Sequence, residues 1–392
     1  MSVDATPQSI VDKARILFAA SFQHKPTVHA VVPGRVNLIG DHVDYNAGIV
    51  LPFAIERFTA VAVARNNRLA SRVASDLEDG IIELGPDYLT AESPHGWTRY
   101  MSGTIREMTA RFAAVPSVDV AIASNLPVGA GLSSSAALCG AIAIALAKLI
   151  GAPPELIPLA MLCQVVEHTD AGVRCGIMDQ IAVLGARQNC LLQIDCRDLS
   201  VEHVPMADPR IGLMVIDSGV THELAASEYG LRRSQCESAV QKLGVSSLRE
   251  CTLEDLESQQ HQLTDVELRR AVHVVTEIRR TELAVQACRT SNWVGLGRLL
   301  AASHESLRDL YQVSCQELDL LVSLAGGLDG VYGCRMTGGG FGGSVIAVVD
   351  LDLAPAIEAT IKTEYHKQTG IATNIFLTRP AAGGIDLSDH VF

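Results

Sequence analysis

The sequence predicts an α/β (α+β) protein of two lobes, and three observations carry that expectation. Its 392 residues are too many for one minimal domain, since domains run to roughly 150 residues. Residues 118–150 read as a strand, a glycine-serine loop and a helix, in that order. From about residue 225 to 325 a helical periodicity rich in Glu and Arg takes over, before glycine returns at Gly333 and a strand follows over 344–349. Mixed helices and strands without a repeat or low-complexity tract fit layered α/β lobes.

The chain opens with Ile10, Val11, Ala14, Ile16, Leu17 and Ala20 at helical spacing, an amphipathic helix over residues 9–22. Residues 29–32 are apolar and partly β-branched, a strand that runs into Pro33 and Gly34, and strand character resumes at 49–52. Alternation over 58–84 reads as strands, with Asn66-Asn67 and Glu78-Asp79-Gly80 as turns. A strand at 118–123 precedes the small, apolar helix 136–150, and further helices are predicted at 156–170 and 178–184. Residues 190–194 and 211–216 read as strands, and the polar, turn-rich stretch 195–209 lies between them. The lobe boundary belongs there, with residues 1–205 in the first lobe and 206–392 in the second.

Hydrophobic residues make up 48% and aromatics only 4%, so a large core must be built from Ala, Val, Leu and Ile. With 31 basic and 44 acidic residues the net charge is −13, which disfavours nucleic acid as a partner. Only Lys13, Lys25, Lys148, Lys242, Lys362 and Lys367 are lysines, and none lies in a glycine-rich stretch. A Walker-type loop is therefore absent, and any phosphate must be met by backbone amides, hydroxyls, a metal and arginine. The 10 cysteines include no C-x-x-C pair and none in the first 138 residues, a pattern of neither a disulfide framework nor a zinc site. No signal-peptide pattern and no membrane-length apolar run is evident, so the expectation is a reduced, cytoplasmic protein.

Three loops and one segment concentrate the polar chemistry. In the loop from Pro127 to Ser135, glycines let amides converge on an anion, Ser133, Ser134 and Ser135 offer hydroxyls, and the following helix presents its positive end. A serine-capped turn would have the same composition. Arg35, Asn37, Asp41, His42, Asp44, Tyr45 and Asn46 crowd hydrogen-bonding groups between apolar strands, which suits a polyhydroxylated ligand or an ordinary surface loop. Thr337 to Gly343 surround a lone Phe341 before a strand, either a backbone that approaches a ligand or a bend. Glu167 and Asp179 stand in an apolar segment where carboxylates need partners. Arg174 or Arg187 could pair with them, or they could serve as a magnesium ligand and a catalytic base.

Taken together these segments are more specific than any one. Gly34-Arg35-Val36-Asn37-Leu38-Ile39-Gly40-Asp41-His42-Val43-Asp44-Tyr45-Asn46 resembles the galactokinase signature. Leu126 to Ala137 and Arg335 to Gly343 resemble the second and third motifs of the galacto-, homoserine, mevalonate and phosphomevalonate (GHMP) kinases. Cys175-Gly176-Ile177-Met178-Asp179-Gln180, Ala226-Ser227-Glu228-Tyr229, Arg232 to Cys236 and His273 to Thr281 are also similar to that family, in the same order along the chain.

The resemblance implies a two-lobed GHMP kinase fold and ATP-dependent phosphorylation of D-galactose at its anomeric hydroxyl. It implies Asp179 as the base and Arg35 as the group that stabilises transition-state charge. Asp41, His42 and Asp44 would hold sugar hydroxyls, Gly176 and Tyr229 would complete the pocket, and Trp97 would lie against adenine. Gly129, Ala130, Gly131, Leu132, Ser133, Ser134 and Ser135 would wrap the phosphates of ATP, and Ser135 with Glu167 would ligate Mg2+. Asp41 stands where the signature usually carries glutamate, which shortens that carboxylate by one methylene. A kinase for a galactose derivative, or a non-catalytic sensor of sugar and ATP, are the competing expectations, and the intact Ser133-Ser134-Ser135-Ala136 favours catalysis.

Overall fold

The computed structural model describes residues 6–85, 96–127, 129–221 and 225–390. The chain begins with α1 (Pro7–Phe22), β1 (Val28–Asn37), the short β2 (Ile49–Val50), β3 (Pro52–Arg65), β4 (Ser71–Ser75) and β5 (Glu78–Leu84). It continues with α2 (Thr98–Arg111), β6 (Val118–Ser124), α3 (Ser134–Ile150), α4 (Leu156–Thr169), α5 (Met178–Gly185), β7 (Cys190–Asp195) and β8 (Ser200–Pro205). Strands β1-β3-β6-β4-β5 form a five-stranded sheet, and β2-β7-β8 a separate three-stranded one.

Both faces of the large sheet are covered, and the period of two along its strands decides which residue meets which layer. Val31, Ala60, Ala62, Ala121 and Ala123 face α1 through Val11, Ala14, Phe18 and Phe22. Their neighbours Val32, Val61, Val63, Val120 and Ile122 belong to the main core together with Ala141, Ile144 and Ala145 of α3. Helix α1 is started by Thr6, whose side chain accepts from the Ser9 amide, with Pro7 at the first helical position. The register of β1 on β3 shifts between Pro33 and Arg35. Such a bulge re-aims the strand just before the polar loop.

The second lobe opens with β9 (Ile211–Thr221), then α6 (Ala225–Leu243), α7 (Leu253–Gln259), α8 (Asp265–Arg289), α9 (Trp293–Ser306) and α10 (Gln316–Gly326). It closes with β10 (Val331–Thr337), β11 (Gly342–Asp350), α11 (Ala354–Thr369) and β12 (Asn374–Thr378), and α12 (Gly384–His390) follows. Strands β10-β11-β9-β12 make an antiparallel four-stranded sheet. The predicted helical stretch resolves into five helices, two of them opened by capping boxes at Thr252 and Thr264. A π turn, Leu307–Tyr311, ends α9 and points Tyr311 into the interior.

Two local expectations change. The turn placed at Glu78-Asp79-Gly80 falls at Asp76-Leu77, where the Ser75 hydroxyl accepts from the Leu77 amide, and Glu78 already belongs to β5. Ser200–Pro205, inside the polar stretch, is the edge strand β8. An edge strand tolerates polar residues on its open side, which hid it. The tail also departs from a simple second lobe: Ala381 bridges to Ala54, and Ser388 in α12 bonds the Val31 backbone in the first sheet. Among the described residues no helix is long and apolar enough to cross a membrane.

Candidate active site

Arg35 and Asp179, 144 residues apart in sequence, meet in a two-pronged ion pair, Nε to Oδ1 at 2.8 Å and Nη2 to Oδ2 at 2.6 Å. The bulged β1 delivers the arginine, and the first turn of α5 delivers the aspartate. The expected alternative partner, Arg174, pairs instead with Glu237 at 3.1 Å. Charge-assisted forks of this kind fix both groups in a plane.

Around the pair lies a cavity of about 160 Å³, lined by Arg35, Asp41, His42, Asp44, Asp179 and Tyr229 together with backbone at Gly338 and Gly339. Gly176 packs against Asp44 from behind that lining: a Cβ there would lie 1.9 Å from Asp44 Oδ2, so only glycine lets the two segments touch. Burial pushes the Asp44 carboxyl up to about 7, with the Asp179 charge adding to the rise and the Tyr45 amide and Arg35 opposing it. A carboxyl in that condition gains from any ligand hydroxyl that donates to it.

His42 is held differently. Burial, then the charges of His273, Arg232 and Arg335, take it down to about 3, against the opposing Gly339 carbonyl, so the ring is neutral at pH 7. Its Nε2 is 3.2 Å from that carbonyl, which can only accept, so the proton is assigned to Nε2. Nδ1 then accepts from the Tyr45 hydroxyl at 2.8 Å, which in turn accepts from Tyr311 at 2.9 Å. Both ring nitrogens are committed inside the protein. A sugar hydroxyl held by His42 would therefore have to compete with one of these internal partners.

Asp41 is buried beside the same cavity, with Arg335 on Oδ2 and the Gly338 amide 3.2 Å from Oδ1. Arg335, His273 and Glu277 fall within motifs of the resemblance that carried no individual role, and Tyr311 was not singled out. The signal available was a lone charge inside the apolar strand β10, and a charge in such a strand implies a buried partner.

The glycine-serine loop sits between this cavity and a second one. Its carbonyls point inward: Ala130 accepts from the Ser344 hydroxyl at 2.9 Å, Gly131 from Arg35 Nη1 at 2.7 Å and Leu132 from the Arg35 amide at 3.2 Å. Across a trans peptide the N–H opposes the C=O, so the amides of Gly131, Leu132 and Ser133 face the other way. Gly129 and Gly131 adopt φ of 81° and 74°, which glycine permits without strain. Ser133 stands at the N-cap of α3 yet makes no capping bond, and its hydroxyl donates to Asp179 at 2.5 Å. The start of α3 is thus left open to an anion.

The second cavity, about 410 Å³, is lined by Trp97, Tyr100, Leu77, Ile122, Leu126 and Leu138, with Ser134 and Ser135 at its edge. Trp97 is anchored by its indole N–H on Glu78 at 2.9 Å. Glu167, buried in α4, has the Ser135 side chain beside it. Burial pushes its carboxyl up to about 7, a rise that the Ser135 hydroxyl and Arg35 oppose and the Asp179 charge increases. A hydroxyl beside a buried carboxyl short of positive charge supplies hard oxygen donors, the set that a cation carrying its own waters and phosphates requires.

Comparison with known proteins follows the same geography. Residues 16–65 match the galactokinase galactose-binding signature, 99–186 the GHMP kinases N terminal domain and 284–367 the GHMP kinases C terminal domain. The chain is 42% identical over 395 residues to the galactokinase of Bos taurus, covering 98% of each. To the galactokinase of Homo sapiens it is 40% identical over 393 residues, covering 95% of this chain and 96% of that protein. The crystal structure of Lactococcus lactis galactokinase complexed with galactose superposes with a TM-score of 0.90 at 29% identity, covering 95% of this chain and 99% of that one. A mevalonate kinase at 16% identity, with a TM-score of 0.61, shares the fold.

Proposed function

Because the chain belongs to the galactokinases of the GHMP kinase superfamily, we propose that it transfers the γ-phosphoryl group of ATP to the anomeric hydroxyl of D-galactose, with Arg35 and Asp179 at the reacting centre. The observation that carries the reading is the position of that ion pair, on the wall of one cavity and bonded through Ser133 to the loop that edges the other. Sugar occupies the cavity around Asp44, and the nucleotide occupies the one around Trp97. The two lobes of this division are residues 1–205 with the returning tail, and residues 206–378.

The anomeric hydroxyl donates to Asp179, whose orientation is fixed by Arg35 and Ser133. As the new O–P bond forms, the hydroxyl proton passes to the carboxylate and the bond to the ADP oxygen breaks. The transition state for phosphoryl transfer is loose, with charge spread over the peripheral oxygens, so positioning and fixed positive groups provide most of the catalysis. Arg35 and the amides of Gly131, Leu132 and Ser133 supply those groups in a protein of net charge −13. Ser135 and Glu167 would hold Mg2+, which when bound would neutralise phosphate charge. At the sugar, Asp44 and Tyr229 hold hydroxyls, Asp41 offers its remaining lone pairs, and the His42 ring packs against carbon.

ADP release measured across a panel of hexoses tests the assignment. D-galactose should give the highest kcat/KM, and another hexose exceeding it by about tenfold would overturn the sugar while leaving the kinase chemistry.

A further inference from the structure

Behind Asp41 lies a set of buried charges that line neither cavity. Arg335, in β10, is fully buried; its Nη1 donates to the Leu38 carbonyl at 3.0 Å and its Nη2 to Asp41. Glu277, on α8, is also fully buried and accepts from the Gly40 amide at 3.0 Å, the Ser303 hydroxyl at 2.6 Å and Arg280 Nε at 2.8 Å. One turn earlier on α8, His273 Nε2 lies 3.3 Å from the Asp41 carbonyl. Leu38, Gly40 and Asp41 belong to the first lobe's polar loop, and every one of these partners comes from the second lobe.

The contacts leave that loop little freedom. Gly40 has φ of 98°, and a Cβ there would lie 2.9 Å from the Ile49 carbonyl and 3.1 Å from the Thr281 hydroxyl on α8. Buried ion pairs of this kind add little stability relative to well-packed apolar residues, but removing one member is costly. Their retention next to a binding loop points to geometry. We infer that Arg335 and Glu277 are positioning residues for sugar binding: from the second lobe they fix the segment from Leu38 to Asp41, and so set where Asp41, His42 and Asp44 meet the sugar.

Electrostatics agree with the arrangement. Burial would raise the Glu277 carboxyl, but Arg335, Arg280 and His273, with the Ser303 hydroxyl, hold it at about 2. Asp41 is raised by burial, and Arg335 is the main group opposing that rise. Arg335 therefore lowers two carboxylates, one on each lobe, with Arg280 sharing Glu277.

The inference rests on the reading of this cavity as the sugar site, and the test separates the two. Glu277→Gln keeps the shape and an acceptor for Gly40 but removes the charge, and Arg335→Lys keeps the charge but removes the fork. Steady-state kinetics on folded protein should show KM for galactose raised between about 10- and 100-fold, with KM for ATP within about twofold of the parent. Loss of folded fraction alone lowers apparent kcat without moving KM, so galactose KM unchanged in Glu277→Gln would overturn the inference even if Arg335→Lys fails to fold. Gly176→Ala is the control, since its Cβ would displace the Asp44 side chain directly. If Gly176→Ala also leaves galactose KM unchanged, the sugar-site reading falls as well; if it alone raises KM, only the positioning role is lost.

Discussion

The cavity around Asp44 takes its walls from both lobes and gathers charged side chains among apolar ones, whereas the cavity around Trp97 is built within the first lobe and is mostly apolar. The first contains Arg35, Asp41, Asp44 and Asp179, each desolvated to some degree and each needing a partner. The second offers flat, apolar surface from Trp97, Leu77, Ile122 and Leu138. The contrast follows from what each ligand presents. A sugar is recognised by its hydroxyls, which demand placed donors and acceptors, while a purine base is recognised first by its faces. Substitutions in the two cavities should therefore fail in different ways.

The largest effect is expected at the charged end. Asp179→Asn removes the proton acceptor while keeping the size of the side chain, and turnover should fall by about 10³-fold or more. Galactose binding, measured by calorimetry, should persist because Asp41, Asp44 and Tyr229 are untouched. Near-normal turnover would take Asp179 out of the catalytic role. At the apolar end, Trp97→Ala should raise KM for ATP by about tenfold through lost base stacking, with galactose KM and kcat near the parent. A rise in galactose KM of the same size would erase the division between the cavities.

How much of this was legible in the sequence follows the same contrast. Arg35, Asp41, His42 and Asp44 lie within ten residues of one another, so their chemistry could be seen before any fold was known. Asp179 and Glu167 were ambiguous as residues, because the arginines near them in sequence offered an ion pair, whereas the partner of Asp179 is 144 positions away on β1. The resemblance, not the local pattern, implied their roles. The walls of the second cavity come singly from strands and helices, as with Thr59, Ile122 and Leu138, and on those elements they read as ordinary core. The partners of Arg335 and Glu277 stayed hidden, although both residues fall within motifs of the resemblance, because a sequence displays a charge but not the opposite lobe that meets it. The helices and central strands were readable from periodicity; β8 was not, because an open edge needs no apolar alternation.

The smallest effect sharpens the comparison most, because it concerns what the charged cavity costs the fold. Asp44 has its carboxyl raised from an ordinary 3.8 to about 7, first by burial and then by the Asp179 charge. A carboxyl raised in the folded state binds a proton there that the unfolded chain has already released, so stability falls as pH rises from about 4 to about 7. Asp44→Asn removes this titration without changing size. Its sugar-free form should melt a few degrees above the parent at pH 8, where the parent carries a buried charge, and the gap should close as pH falls toward 4. Glu167, also raised to about 7, titrates in both proteins and largely cancels from the difference. Differential scanning calorimetry at pH 4, 6 and 8 reads the gap directly. A gap independent of pH, or one that widens in acid, would mean that Asp44 is ionised in the folded protein without penalty. The sugar cavity would then resemble the nucleotide cavity in imposing no electrostatic cost before its ligand arrives.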